Sequence, residues 1–211
     1  LGRRRRPANH PRMQPAPPNH WRPSATLDTL QQRARLLQKL RAFFIARGVL
    51  EVETPQLSAA ATTDPQLHSL STRYTGPGAP QGCTLFLHTS PESPMKRLLA
   101  AGSGPIFQLC KVFRDAEAGR LHNPEFTLLE WYRPDYDHRQ LMTEVAELVS
   151  HLLEDRVPLG ATEWMTYEDA FLRHTGLNPL TASGAQWAAC ARQHGISASG
   201  LRPDALDGWR D

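Results

Sequence analysis

Residues 106–132 read IFQLCKVF-RDAEAGRLHNPE-FTLLEWY, and this stretch decides the fold. Two apolar, aromatic-rich runs, Ile106–Phe113 and Phe126–Tyr132, flank a twelve-residue polar loop. Each run has the length of a strand, and aromatic and β-branched side chains suit a pleated surface. The pattern predicts an antiparallel pair with a long connection, and connections of that length without structure of their own are disproportionately functional.

Working outward, Leu27, Leu30, Ala34, Leu37, Leu40 and Phe44 recur at steps of three and four, the one-sided pattern of an amphipathic helix. Ser24, Thr26 and Asp28 can each cap its start, and Gly48 suits a left-handed residue after its end. Val49–Glu53 then alternates before Thr54-Pro55, which predicts a strand stopped by proline. Residues 56–80 are polar and turn-rich, with a loop or hairpin at Gly76-Pro77-Gly78. A strand is expected over Thr84–Thr89 and a short helix over Met95–Ala101, closed by Gly102. Beyond the central pair, Leu141, Val145, Leu148 and Leu152 predict another amphipathic helix. Shorter helices are expected near Tyr167–Thr175 and Ala185–His194, and the pattern fades after Gly195. This order of elements predicts an α+β fold whose antiparallel sheet is flanked by helices.

Composition sharpens the picture. The chain has 211 residues, 40% of them hydrophobic, enough for a substantial core. No apolar run approaches the ~18 residues of a membrane span, and none near the N-terminus reads as a signal peptide. Three scattered cysteines, Cys83, Cys110 and Cys190, fit neither a disulfide framework nor a zinc site, so a reduced, cytoplasmic setting is expected. The net charge of +3 belongs to one end: residues 1–23 hold six arginines, six of the 18 prolines and no acid. Without them 18 basic residues face 21 acidic ones, a body at −3. That leader is expected to be disordered, with translation beginning at Met13, and 24–211 to form the folded part. An RNA-binding arm is the alternative, since arginine runs gain affinity by releasing phosphate counterions. His68, His88, His138, His151, His174 and His194 show no ligand spacing, and no metal ligand set is expected.

Chemistry concentrates in the central loop. Arg114 ends the first strand, Asp115, Glu117, His122 and Asn123 follow, and Phe126 opens the second. A guanidinium fork can hold a phosphate at two points while an aromatic face stacks a base. The plainer alternative pairs Arg114 with Glu117 or Glu125 at the surface and makes Phe126 ordinary core.

Together these residues resemble the class II aminoacyl-tRNA synthetases. The helix–strand–Pro55 segment resembles their motif 1, and Phe113-Arg114 through His122-Asn123-Pro124-Glu125-Phe126-Thr127 their motif 2 in its lysyl form. Gly48–Pro55, Thr89–Glu92, Met95–Leu99, Phe107–Cys110 and Glu130–Pro134 extend the likeness over roughly residues 26–180. It narrows to the short lysyl-type paralogues that attach (R)-β-lysine to elongation factor P, because only about two dozen residues, too few for an anticodon-binding domain, precede the motif 1 helix.

The resemblance implies an enzyme that makes an acyl-adenylate from ATP, normally with Mg²⁺, and transfers the acyl group to a lysine of elongation factor P. It implies that Arg114 holds the α-phosphate, that Asp115, Glu117, His122 and Asn123 approach the nucleotide, and that Phe126 stacks on adenine. Ser90, Pro91 and Glu92 would form the amino-acid site, and Tyr132 with Glu130 would take the distal amine. For Glu92 the plainer alternative is a carboxylate at a helix N-terminus, and for Tyr132 a half-buried strand tyrosine. A homodimer through Leu27–Pro55 is implied, and tRNA is not an expected partner. Two departures stand out. Ala116 occupies the place of the motif 2 glutamate, so Glu117 or Asp115 would have to substitute. The Gly-rich motif 3, and the acidic segment before it that would hold Mg²⁺, find no counterpart. The chain is therefore expected to be an incomplete catalytic domain with impaired activity. A stand-alone tRNA-charging domain, or a non-catalytic paralogue that only dimerises, are the competing readings.

Overall fold

A computed structural model describes residues 22–119, 121–196, 201, 202, 204 and 206–210. The expectations for the Arg/Pro-rich leader and for a start at Met13 lie almost wholly outside the described residues. The chain divides between Leu159 and Gly160 into two compact units.

In the first unit, helix α1 (Leu27–Ile45) starts at Thr26, whose Oγ1 accepts from the Thr29 amide at 3.1 Å. It ends before Gly48, at φ +68°, a conformation that excludes most side chains. The turn directs the chain into β1 (Leu50–Glu51), shorter than the predicted strand. β1 runs parallel to β5 (Ile106–Phe113), which pairs antiparallel with β6 (Glu125–Tyr132) along its whole length. The central pair is thus as predicted, but the sheet is mixed: the chain between β1 and β5 is long enough to form a crossover. That crossover contains β2 (Leu57–Ser58), β3 (Ser71–Tyr74), β4 (Cys83–Leu87) and helix α2 (Glu92–Ala100). The three strands make a second, antiparallel sheet in the order β2-β4-β3. Its β2 and β3 fall in the segment whose polarity predicted only turns. All four β3 residues are exposed, so no apolar alternation marks them. Helix α3 (His138–Leu153) opens with a reciprocal capping box between Asp137 and Gln140.

The core lies between α1, α3 and one face of the first sheet. Phe44 is fully buried, stacked on Phe107 at 4.8 Å and tilted against Trp131 at 5.4 Å. Leu40, Phe43, Val49 and Leu148 complete the cluster, with Leu129, Trp131 and Leu152 packed against it. A buried carboxylate ties the last rungs of β6 to α3: Glu144 accepts from Trp131 Nε1 at 3.1 Å and lies 3.3 Å from Arg133 Nε. Leu141 and Val145, expected on the inward stripe of α3, are instead 37% and 39% exposed.

The second unit contains α4 (Tyr167–Thr175), α5 (Gly184–Gln193) and α6 (Leu206–Arg210). Thr166 and Ser183 cap the first two, and Gly176 closes α4 at φ +71°. Phe171 meets the buried Trp187 edge-on at 5.4 Å. No helix among the described residues is long and apolar enough to cross a membrane.

Candidate active site

Side chains alternate across a strand, so the β5–β6 ladder has two distinct faces. One carries Phe107, Leu129 and Trp131 into the core described above. The other presents cross-strand rungs Ile106–Tyr132, Gln108–Glu130, Cys110–Leu128 and Val112–Phe126. Ile106 and Val112 are fully buried, so the polar groups on this face sit in an apolar floor.

At one end of that floor three predicted residues converge. The Glu130 carboxylate accepts from Ser90 Oγ at 2.6 Å through one oxygen and from the Tyr132 hydroxyl at 2.6 Å through the other. Ser90 Oγ also accepts from the Glu92 amide at 3.0 Å, and Pro91 beside it is fully buried at the start of α2. The register delivers Glu130 and Tyr132, and the chain leaving β4 delivers Ser90. Two hydroxyls donating to one carboxylate leave it acceptor capacity for a cation. Glu92 is less committed. It occupies the first turn of α2, where the helix dipole favours an acid, and its carboxylate pairs with Lys96 one turn on. The plainer reading of Glu92 thus describes its contacts here.

At the other end stands Arg114. Its Nε donates to the carbonyl of the buried Thr89 at 3.3 Å, Nη1 lies 3.6 Å from Glu117 Oε1, and the guanidinium sits 5.0 Å from the centre of the Phe126 ring. Glu117 is therefore the acid beside Arg114, as the plainer alternative allowed, whereas Glu125 pairs with Lys111 at 3.2 Å. Asp115 instead turns its carboxylate to the Ala116 amide at 2.8 Å. Ala116 itself is left-handed, at φ +62°, a strained conformation for alanine and for any glutamate in its place. His122 closes a tight loop by pairing its backbone with Gly119, and both His122 and Asn123 are exposed. The structure thus joins Arg114, Glu117 and Phe126 and leaves Asp115, His122 and Asn123 at the rim. Because Thr89 adjoins Ser90, the two ends are linked through consecutive residues.

Thr54, Thr89, Gln108 and Lys96 lie in the stretches that carry the resemblance, but the sequence assigned them no individual role. Gln108 carried a usable signal, a lone amide inside an apolar strand at a position the alternation turns onto the same face as Glu130 and Tyr132.

Burial holds the Tyr132 phenol above its ordinary pKa, reinforced by the hydrogen bond to Glu130 and by the charges of Glu130 and Glu92. The Cys110 thiol is likewise raised by burial and by Glu130, with the Gln108 amide opposing. A raised native pKa means that the folded chain keeps the tyrosine proton after the unfolded chain would release it. The stabilisation is therefore intact below about pH 10 and is lost as pH climbs above that value. An alkaline titration followed by tyrosine absorbance should show Tyr132 as a late-ionising phenol. That late step should vanish in Tyr132→Phe and move earlier in Glu130→Gln.

Among the described residues no group of three or more His, Cys, Asp or Glu side chains gathers to hold a metal ion. The Mg²⁺ implied by the resemblance thus has no fitted ligand set here, and no chemical step is assigned to it.

The family of class II tRNA synthetases (D, K and N) matches residues 19–184. A protein of Pseudoalteromonas translucida named elongation factor P–(R)-β-lysine ligase is 54% identical over 85% of this chain and 54% of its own length. Proteins of the same name from Pectobacterium carotovorum and Yersinia pestis are 51% and 54% identical, over 89% and 79% of this chain. These alignments cover 56% and 50% of the two relatives, so the chain spans about half the length of the curated relatives it matches.

Proposed function

Since the chain belongs to the class II tRNA synthetase family of the D, K and N type, we propose that it serves the ATP-dependent activation of (R)-β-lysine and its transfer to a lysine of elongation factor P. The names of its relatives support the substrate and the partner. The observation that carries the reading is the Glu130 carboxylate addressed by Ser90 and Tyr132 in an apolar floor. A substrate with two amines needs anionic partners away from bulk water, where each charge interaction counts for more.

In this account Glu130 and Tyr132 hold the distal amine, and Ser90, Pro91 and Glu92 border the rest of the amino acid. Glu92 exchanges its exposed Lys96 partner for the second ammonium, at small expense because exposed pairs of this spacing contribute only ~0.2–0.5 kcal/mol. Phe126 stacks on adenine, and His122 and Asn123 close over the nucleotide from the exposed loop. Arg114 releases Glu117 to bind the α-phosphate. The substrate carboxylate then attacks the α-phosphorus, a P–O bond forms, and the bond to pyrophosphate breaks. Arg114 stabilises the charge that builds on the phosphoryl oxygens, and no side chain acts as nucleophile. In the second step the lysine amine of elongation factor P attacks the acyl carbon, AMP leaves, and the amine proton passes to solvent. A homodimer through Leu27–Pro55 belongs to the same proposal, supported by the exposure of Leu27, Leu30, Ile45 and Leu50 on that segment.

Amino-acid-dependent exchange of labelled pyrophosphate into ATP tests the first step. Exchange should require a lysine-like amino acid, favour (R)-β-lysine over α-lysine, and fall about 10²-fold or more in Arg114→Ala. Charging of lysine tRNA without modification of elongation factor P would replace this reading with the tRNA-charging one.

A further inference from the structure

Gln108 is one of three polar or charged residues buried among those described, at 3% exposure, and it stands directly across the ladder from Glu130. An amide in a strand interior is unfavourable unless its groups are bonded, and a leucine would fill the same space without that demand. Its Oε1 accepts from Thr54 Oγ1 at 3.0 Å, and Cys110 stands two residues along the same face of β5. Thr54 lies just past β1, in the segment that Pro55 carries out of the sheet. Directly opposed side chains on an antiparallel pair stand about 5 Å apart at Cβ. The Thr54–Gln108 bond therefore ties the chain beyond β1 to the β5 end of the rung that carries Glu130. A neutral amide at this place also spares Glu130 a second carboxylate, which would compete with it for a proton.

We propose that Gln108, held by Thr54, is a positioning residue for the amine pocket, fixing the rung from which Glu130 meets Ser90, Tyr132 and the substrate amine. The inference rests on the function proposed above, and it adds a determinant of amino-acid affinity that never touches the nucleotide.

Thr54→Val removes the hydroxyl at nearly constant volume, Gln108→Leu removes the amide, and Thr54→Ser keeps the bond. Binding of (R)-β-lysine and of ATP is measured separately by calorimetry, and the Tyr132 ionisation is followed by absorbance as an internal reporter of Glu130. Thr54→Val and Gln108→Leu should each weaken (R)-β-lysine about tenfold, the loss of roughly one hydrogen bond's worth of order. They should leave ATP affinity unchanged and bring the late phenol earlier, and Thr54→Ser should restore both readouts. Equal losses of amino-acid and ATP affinity would mark a general loosening and overturn the inference. So would a Thr54→Val chain in which neither amino-acid affinity nor Tyr132 moves. If the unaltered chain binds no lysine-like amino acid while Tyr132 still shifts in Thr54→Val, the functional reading fails and the positioning role stands.

Discussion

Glu130→Gln is expected to weaken binding of a lysine-like amino acid by about a hundredfold while leaving ATP affinity unchanged. The substitution keeps the size and planarity of the side chain, and the Ser90 and Tyr132 hydroxyls that now donate to it can rotate to accept from an amide. The fold should therefore survive, and what disappears is the negative charge proposed to meet the amine. Truncating one partner of a partly buried ion pair costs about 2–5 kcal/mol, and the lower part of that range corresponds to the fold-change given. Calorimetric titration with lysine and (R)-β-lysine measures it. An unchanged amino-acid affinity would place the amine elsewhere and remove Glu130 and Tyr132 from the site together.

Phe44→Ala should cost about 3–5 kcal/mol of stability, the usual range for removing a buried aromatic ring. Phe44 is fully buried, and its ring meets Phe43, Phe107 and Trp131 at centroid distances of 5.3, 4.8 and 5.4 Å. The neighbours come from α1 and both central strands, so no single side chain can move to fill the space. Since domains are stable by only ~5–15 kcal/mol, the variant should lose a large share of its folded population margin. Urea denaturation measures it, with a lower midpoint at an unchanged slope. A loss below about 1 kcal/mol would mean that the cluster around Phe44 is not the core of the first unit.

The two predictions rest on parts of the molecule that were unequally legible in the sequence. Phe44 and the central pair could be read because helices and paired strands impose their period on apolar side chains; β5 and β6 pair residue for residue where the runs predicted it. β2 and β3 could not, since an exposed two-sided strand such as Ser71–Tyr74 is polar throughout and its pairing depends on distant β4. The same limit applies to the site. The neighbourhood of Glu130 and Tyr132 follows from strand alternation, but the contact with Ser90 joins residues forty positions apart and depends on how β4 ends. The choice of Glu117 over Asp115 as the companion of Arg114 turns on the left-handed backbone at Ala116, which no composition or spacing betrays. A lone amide in an apolar strand, as at Gln108, is a signal the sequence carries, yet its partner Thr54 becomes apparent only once β1 lies against β5.

The central claim is that this chain contributes to joining a lysine-like amino acid to a protein amine at the expense of ATP. The most direct measurement is the intact mass of elongation factor P after incubation with the chain, ATP and (R)-β-lysine. A mass increase of one β-lysyl group on a single lysine is expected, dependent on ATP and lost in Arg114→Ala. Unmodified elongation factor P, under conditions where the chain binds both ATP and the amino acid, would contradict it.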